Sequence, residues 1–273
     1  LNYKLRNKAT KNKPLSPQIP AYFGFIPFWL FCAFATNGGI IPIERRKQSA
    51  GGVYDMKIKW LGQSCFLLTT RNGQKIVMDP YGKEVGFVLG LKLPNLEADI
   101  VTVSHDHSDH NNVGAVAGYR ALLKDPGGFL GDGIEIKGVQ TFHDNVSGKK
   151  RGNNVMFVFR LDGLAICHCG DLGHLLSQEQ MDEIGKVDIL MIPIGGKFTL
   201  DASGAAEVVK QLNPAVVIPM HYRTKTMRAP GFIFGTVDSF VDATKKAPRE
   251  YSELDVELTN IKNVAEIAVL QTN

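Results

Sequence analysis

The run Ser104-His105-Asp106-His107-Ser108-Asp109-His110 constrains this chain more than any other feature, because it crowds three imidazoles and two carboxylates into one short segment. It follows an apolar stretch at residues 98–103 that reads as a buried strand. The ligand-type side chains therefore sit at a strand exit, where rigid scaffold gives way to loop. On an extended exit, residues two apart point the same way, which lets His105 and His107 hold one cation while the following turn swings Asp109 and His110 towards a second. The plain alternative is a polar loop capping a helix, since Asp109 and Asn111 are good N-cap types ahead of residues 113–117. Capping accounts for one aspartate and for none of the histidines.

The theme recurs along the chain. His143 follows an expected strand at residues 134–142, Asp171 follows one at 164–170, and His221 follows one at 215–220. Taken singly, a histidine beyond a strand is more often a surface or hydrogen-bonded residue than a ligand. Five of the seven histidines at such exits favour a two-metal site instead. His168, inside a strand, reads as a packed residue, and His174 as a hydrogen-bonding partner for a ligand.

Several separate motifs stand in order around this set: Trp60-Leu61-Gly62-Gln63-Ser64-Cys65, Asp79-Pro80, Thr141-Phe142-His143-Asp144, Gly170-Asp171-Leu172-Gly173-His174, Ile192-Pro193-Ile194-Gly195-Gly196 and Pro219-Met220-His221-Tyr222. From Met56 to about Asn273 the chain thereby resembles the metallo-β-lactamase superfamily, and within it the branch of small metal-dependent hydrolases that includes ascorbate-6-phosphate lactonase. The resemblance implies that His105, His107 and His143 bind one metal, that Asp109, His110 and His221 bind another, and that Asp171 bridges them. It departs at Gln63, where relatives often carry a histidine, which bears on the surroundings of the ligands and not on the ligands themselves. Two cations about 3.5–4 Å apart lower the pKa of a shared water enough to yield hydroxide near neutral pH. The expected activity is thus a binuclear hydrolase whose metal-bridging hydroxide cleaves a small ester, a lactone or a phosphodiester, with Asp109 and Asp171 as the catalytic carboxylates. A β-lactamase and a metal-dependent nucleic-acid processing protein are the alternatives. Imidazole plus carboxylate without thiolate suits Zn and tolerates Mn, Fe or Ni.

Substrate contacts are sought among cations near the ligands. Residues 144–154 place Lys149, Arg151 and Asn154 beside His143, while Lys197, Tyr222 and Arg223 form a second cluster; both compositions suit a phosphate or carboxylate. The overall charge of +4 does not extend this to a polyanion. Residues 1–55 contribute +6, which leaves −2 for residues 56–273, so a nucleic-acid partner gains no support there. A small anionic molecule is the expected partner.

Residues 1–55 differ in composition from the rest, with no methionine before Met56 and many Lys, Asn, Phe and Ile. They read as a non-domain leader, either an over-extended reading frame or a signal peptide with a basic start and a small-x-small site at Ala33-Phe34-Ala35. The apolar stretch at 21–35 falls short of the roughly 20 residues that span a bilayer. Four cysteines in 273 residues make no disulfide scaffold, and buried reduced thiols favour a cytoplasmic setting. Beyond Met56, strands are expected at 57–61, 65–70 and 75–78, then a pair at 155–161 and 164–169, a helix from about Ser177, a strand at 187–192 and a helix at 202–212 behind Asp201 as N-cap. Residues 256–270 are expected to return as a strand covering an edge. The order suits one domain, an α/β, four-layer αββα sandwich of the kind the resemblance implies.

Overall fold

The computed structural model describes residues 56–272, so the leader expected at 1–55 lies outside the described residues. The chain opens with three antiparallel strands, β1 (Met56–Gly62), β2 (Cys65–Thr69) and β3 (Lys75–Met78). After helix α1 (Lys83–Leu89) come β4 (Leu96–Glu97), β5 (Ile100–Thr102), β6 (Val116–Ala117) and β7 (Ala121–Leu123). A second run follows with β8 (Gly127–Gly131), β9 (Ile134–Phe142), β10 (Asn153–Leu161) and β11 (Leu164–His168). Helices and strands then alternate as α2 (Gln178–Ile184), β12 (Ile189–Pro193), α3 (Ala202–Leu212) and β13 (Val216–Met220). The chain closes with α4 (Val237–Thr244), β14 (Pro248–Tyr251), β15 (Leu254–Val256) and β16 (Ile267–Leu270).

Two main sheets result, ordered β15-β1-β2-β3-β5-β7 and β14-β16-β13-β12-β11-β10-β9-β8. The period of two assigns their faces. In β3, Ile76 and Met78 enter a core shared with Val139, Phe157 and Ile218 of the second sheet, whereas Val77 turns outward to a cluster with Leu89 of α1. Ile100 and Val101 of β5 divide the same way. On the far side, α3 buries Ala205, Val208 and Val209, its first turn closed by the Asp201 carboxylate accepting the Gly204 N–H at 2.8 Å. This is the four-layer αββα sandwich.

Two expectations are corrected. No helix forms at 113–117, and Asp109 and Asn111 cap nothing; a 3-10 turn at Val113–Ala115 leads into β6, which pairs with β4. So short a run does not repay helix nucleation. Residues 256–270 are not one edge strand either. β15 flanks the first sheet, but β16 lies inside the second between β14 and β13, because all four of its residues are apolar and buried. Among the described residues no helix is long and apolar enough to cross a membrane.

Candidate metal centre

Strand direction gathers the site. β11, β12 and β13 run parallel, and β9 is antiparallel to β10, which is antiparallel to β11. β9, β11 and β13 therefore end at one margin of the second sheet, each followed within a few residues by His143, Asp171 or His221. The loop leaving β5 of the opposite sheet delivers His105, His107, Asp109 and His110 to the same place. The turn between β1 and β2 ties the two sheets there. Its Gln63 carbonyl accepts the His221 N–H at 3.2 Å and the Trp60 Nε1–H at 2.9 Å, and the Ser64 carbonyl lies 2.9 Å from His168 Nε2. Glycine is required next to two of the ligands. A Cβ at Gly170 would collide with Asn154 Oδ1 and Ser104 Cβ, and one at Gly195 with the His221 carbonyl oxygen.

The donor atoms fall into two groups, His105, His107 and His143 in one, Asp109, His110, Asp171 and His221 in the other, each drawn together within 4.8 Å. Asp171 touches both groups. Its Oδ2 lies 3.2 Å from His143 Nε2 and 3.3 Å from His221 Nε2, and its Oδ1 lies 3.3 Å from His110 Nε2. The donor set fits divalent cations by a direct test: His105 Nε2, His110 Nε2, His221 Nε2 and Asp171 Oδ1 are buried without a hydrogen-bond partner, which a folded protein tolerates where another group satisfies them.

One buried carboxylate orients candidate ligands in both groups. Asp79 accepts the Ser104 N–H at 2.7 Å and the Ser104 hydroxyl at 2.6 Å, and it lies 2.7 Å from His110 Nδ1. With its only proton given to Asp79, the Ser104 oxygen accepts from His105 Nδ1, 3.0 Å away. Both imidazoles are thereby held through Nδ1, which aims Nε2 into the site. Asp79 (φ 45°) and His221 (φ 51°) both hold a left-handed backbone, Asp79 fixed by these bonds and His221 by its N–H bond to the Gln63 carbonyl.

The electrostatics are those of a pocket waiting for positive charge. Burial opposes a proton on His110, yet Asp171, Asp109 and Asp79 outweigh it and push its pKa well above the usual range. At His221 the same contest, won by Asp171 and Asp109, lifts the value to about 9. Burial alone would raise Asp171, but His110 and His221 hold its carboxyl well below the carboxylate range; Asp109 is likewise depressed by His110 against its own burial. His105, screened from water and beside His110, falls to about 3 and stays a neutral donor.

The residues expected to meet substrate divide. A cavity of about 280 Å³ opens over the donors, lined by His107, Asp109, His143, Asp171 and His221 together with Arg151, Phe198 and Phe234. Of the expected cations only Arg151 lines it. Lys149 is exposed outside it, and Lys197 contributes a backbone carbonyl 3.4 Å from the Arg151 guanidinium. Asn154 is fully buried, donating to Thr141 Oγ1 and the Cys169 carbonyl and accepting the Asp171 N–H at 2.9 Å, so it braces the Asp171 backbone and does not face the cavity. Tyr222 stacks on Trp60 at 5.2 Å and, with Arg223, faces a different cavity. Its hydroxyl is pushed up by burial. His174 bonds to no donor; its Nε2 accepts the Phe142 N–H at 3.0 Å and steadies the strand end before His143. Gln63 donates to Asp109 Oδ2 at 3.1 Å. Phe198 and Phe234 went unnoticed in the sequence, although Phe198 adjoins the Gly195-Gly196-Lys197 turn that draws attention there.

Comparison with known proteins places these observations in a lineage. A profile described as the beta-lactamase superfamily domain matches residues 57–221. A "UPF0173 metal-dependent hydrolase" of Thermoplasma acidophilum is 33% identical over 193 residues, covering 62% of this chain and 84% of the relative. A crystal structure from Thermotoga maritima, assigned as a Zn-dependent hydrolase of the metallo-beta-lactamase superfamily, is 36% identical with a TM-score of 0.65, covering 80% of this chain and 100% of that one. The metallo hydrolase Igni18 of Ignicoccus hospitalis shares the fold at 21% identity and a TM-score of 0.54, over 80% of this chain and 96% of its own.

Proposed function

We propose that this chain, which belongs to the beta-lactamase superfamily, is a metal-dependent hydrolase that holds two divalent cations and cleaves a small anionic ester, a lactone or a phosphodiester. The observation that carries the reading is the convergence of seven donors from four separate strand ends, with Asp171 in reach of both groups and buried imidazole nitrogens left free. His105, His107 and His143 would hold one cation and Asp109, His110 and His221 the other, with Asp171 between them. Two cations so held supply Lewis acidity, acidifying water and polarising the ester oxygen. Zn is the metal best suited to this imidazole and carboxylate set.

The chain's own groups do the rest. Asp109 is partly open to the cavity, and the Gln63 amide fixes its Oδ2, which leaves the carboxylate placed to orient the attacking water and take up its proton. Asp171, buried and braced through the Asn154 bond to its backbone, keeps the two donor groups in register. A cavity of about 280 Å³ lies at the small end for ligand pockets and supports a compact substrate. Cys65, Cys167 and Cys169 are free and buried, which supports a reducing, cytoplasmic setting.

The test combines metal content by mass spectrometry with turnover of chromogenic phosphodiester, lactone and cephalosporin substrates after Zn or Mn loading. About two metals per chain and hydrolysis of a lactone or phosphodiester are expected. Cephalosporin turnover alone would transfer the assignment to a β-lactamase, and a folded protein that takes up no metal would refute it.

A further inference from the structure

Besides the donors, the cavity is lined by three side chains on three loops. Arg151 holds its guanidinium over the Phe198 ring, 5.3 Å from the centroid. Phe198 meets Phe234 edge to face at 5.9 Å, and Phe234 meets the candidate ligand His221 at 5.1 Å. Phe198 is 39% exposed and presents its ring to the cavity.

The loops are held in place by their own backbones. The Gly235 N–H donates to the Gly195 carbonyl at 2.7 Å and the Arg223 N–H to the Gly235 carbonyl at 2.8 Å, so the segments bearing Phe198 and Phe234 are tied to each other. On the third loop the Asp144 carboxylate accepts the N–H groups of Val146, Gly148, Lys150 and Arg151 at 2.8–2.9 Å. Both aromatic rings and the guanidinium are thereby preorganised, which is how a binding surface avoids an ordering cost when it closes on its ligand.

Resting on the hydrolase reading, we propose that Arg151, Phe198 and Phe234 select an anionic ester that carries an aromatic ring, the guanidinium pairing with the anion and the ring lying in the corner between the two phenylalanines. Among the described residues Arg151 is the one lysine or arginine side chain lining this cavity, which it shares with the donors, so an anion bound there can meet both. The two rings present an apolar corner within a cavity of about 280 Å³, which is large enough to admit an aromatic ring. Hydrolysis consumes one water, breaks the ester bond to oxygen and releases an acid and an alcohol or phenol, either of which can bear the ring.

The experiment is calorimetric binding of two inert probes, phenylphosphonate and methylphosphonate, to the full-length protein loaded with Zn, alongside ester turnover. Phenylphosphonate is expected to bind about tenfold more tightly than methylphosphonate, the gain typical of an aromatic contact. The double substitution Phe198→Leu with Phe234→Leu should erase that preference, and Arg151→Met should weaken both probes by roughly tenfold, as loss of a charge-assisted bond does. Metal content and circular dichroism check that the variants fold, and the wild-type comparison decides the aromatic part even if one does not. Equal binding of the two phosphonates overturns the aromatic corner, and unchanged binding in Arg151→Met overturns the anion contact. Ester turnover with no ring preference defeats this inference alone, whereas neither phosphonate binding nor turnover by the Zn-loaded protein defeats the hydrolase reading itself.

Discussion

His221 and Phe234 touch edge to face with centroids 5.1 Å apart, yet they belong to two regions made in different ways. His221 ends a strand of five buried residues and is 1% exposed. Phe234 is half-buried on a loop whose position depends on a few backbone hydrogen bonds. The donor floor therefore has the stiffness of two packed sheets, while the wall facing it can be altered without disturbing the core. In the proposed hydrolase, one cavity keeps its reaction type in its floor and its selectivity in its wall.

The sharpest way to break the comparison is at Asp171, which reaches both donor groups. Asp171→Ala should lower kcat by roughly a thousandfold or more and reduce bound metal below two per chain, with the fold retained by circular dichroism. Full activity in that variant would mean that the two groups are not one centre. Asp79→Asn removes the acceptor that fixes His110 and, through Ser104, His105; a loss of about 10–100-fold in metal affinity is expected from chelator competition. Ser104→Ala should do less, because the His110 bond survives.

Asn154 and Arg151 stand three residues apart and give a finer division. Asn154→Ala should lower stability by about 1–3 kcal/mol in denaturant melts, because it leaves the Asp171 N–H and the Cys169 carbonyl buried without partners. A rise in KM without loss of stability would place Asn154 on the wall after all. Asp144→Asn loosens the Arg151 loop, since an amide oxygen replaces a carboxylate whose four N–H bonds hold its pKa down to about 2 against the effect of burial. Its expected signature is a rise in KM of roughly threefold to tenfold with kcat nearly unchanged, from the loss of bonds worth about 1 kcal/mol each. The smallest change belongs to Lys149→Ala, within about twofold in kcat/KM, because that side chain is exposed outside the cavity.

Much of the floor was legible along the chain because each donor announces itself in a short motif at the end of an apolar strand. His105, His107, Asp109 and His110 are neighbours, and His143, Asp171 and His221 repeat the same position after three further strands. Asp79 was visible only as part of Asp79-Pro80, and nothing local to it tells that its carboxylate lies beside Ser104 and His110, far along the chain. The wall was misread where composition stood in for direction. Lys149, Lys197 and Arg223 are basic and near the donors in sequence, but their side chains do not line the cavity. Asn154 looked polar and available, although its place at the start of β10 turns it inward.

By itself the sequence determined the donor chemistry and the strand ends that carry it, since hydrophobic periodicity and ligand type are local properties that survive without knowledge of what lies across the sheet; the four-layer fold was legible only through the resemblance to a known family. Tertiary structure alone decided which loops meet above the donors. Phe198 and Phe234 become one wall only because the Gly235 N–H finds the Gly195 carbonyl, and Arg151 joins it only because Asp144 folds its loop back. Such contacts depend on where two distant segments are placed in space, and a linear chain carries no local signal for that distance.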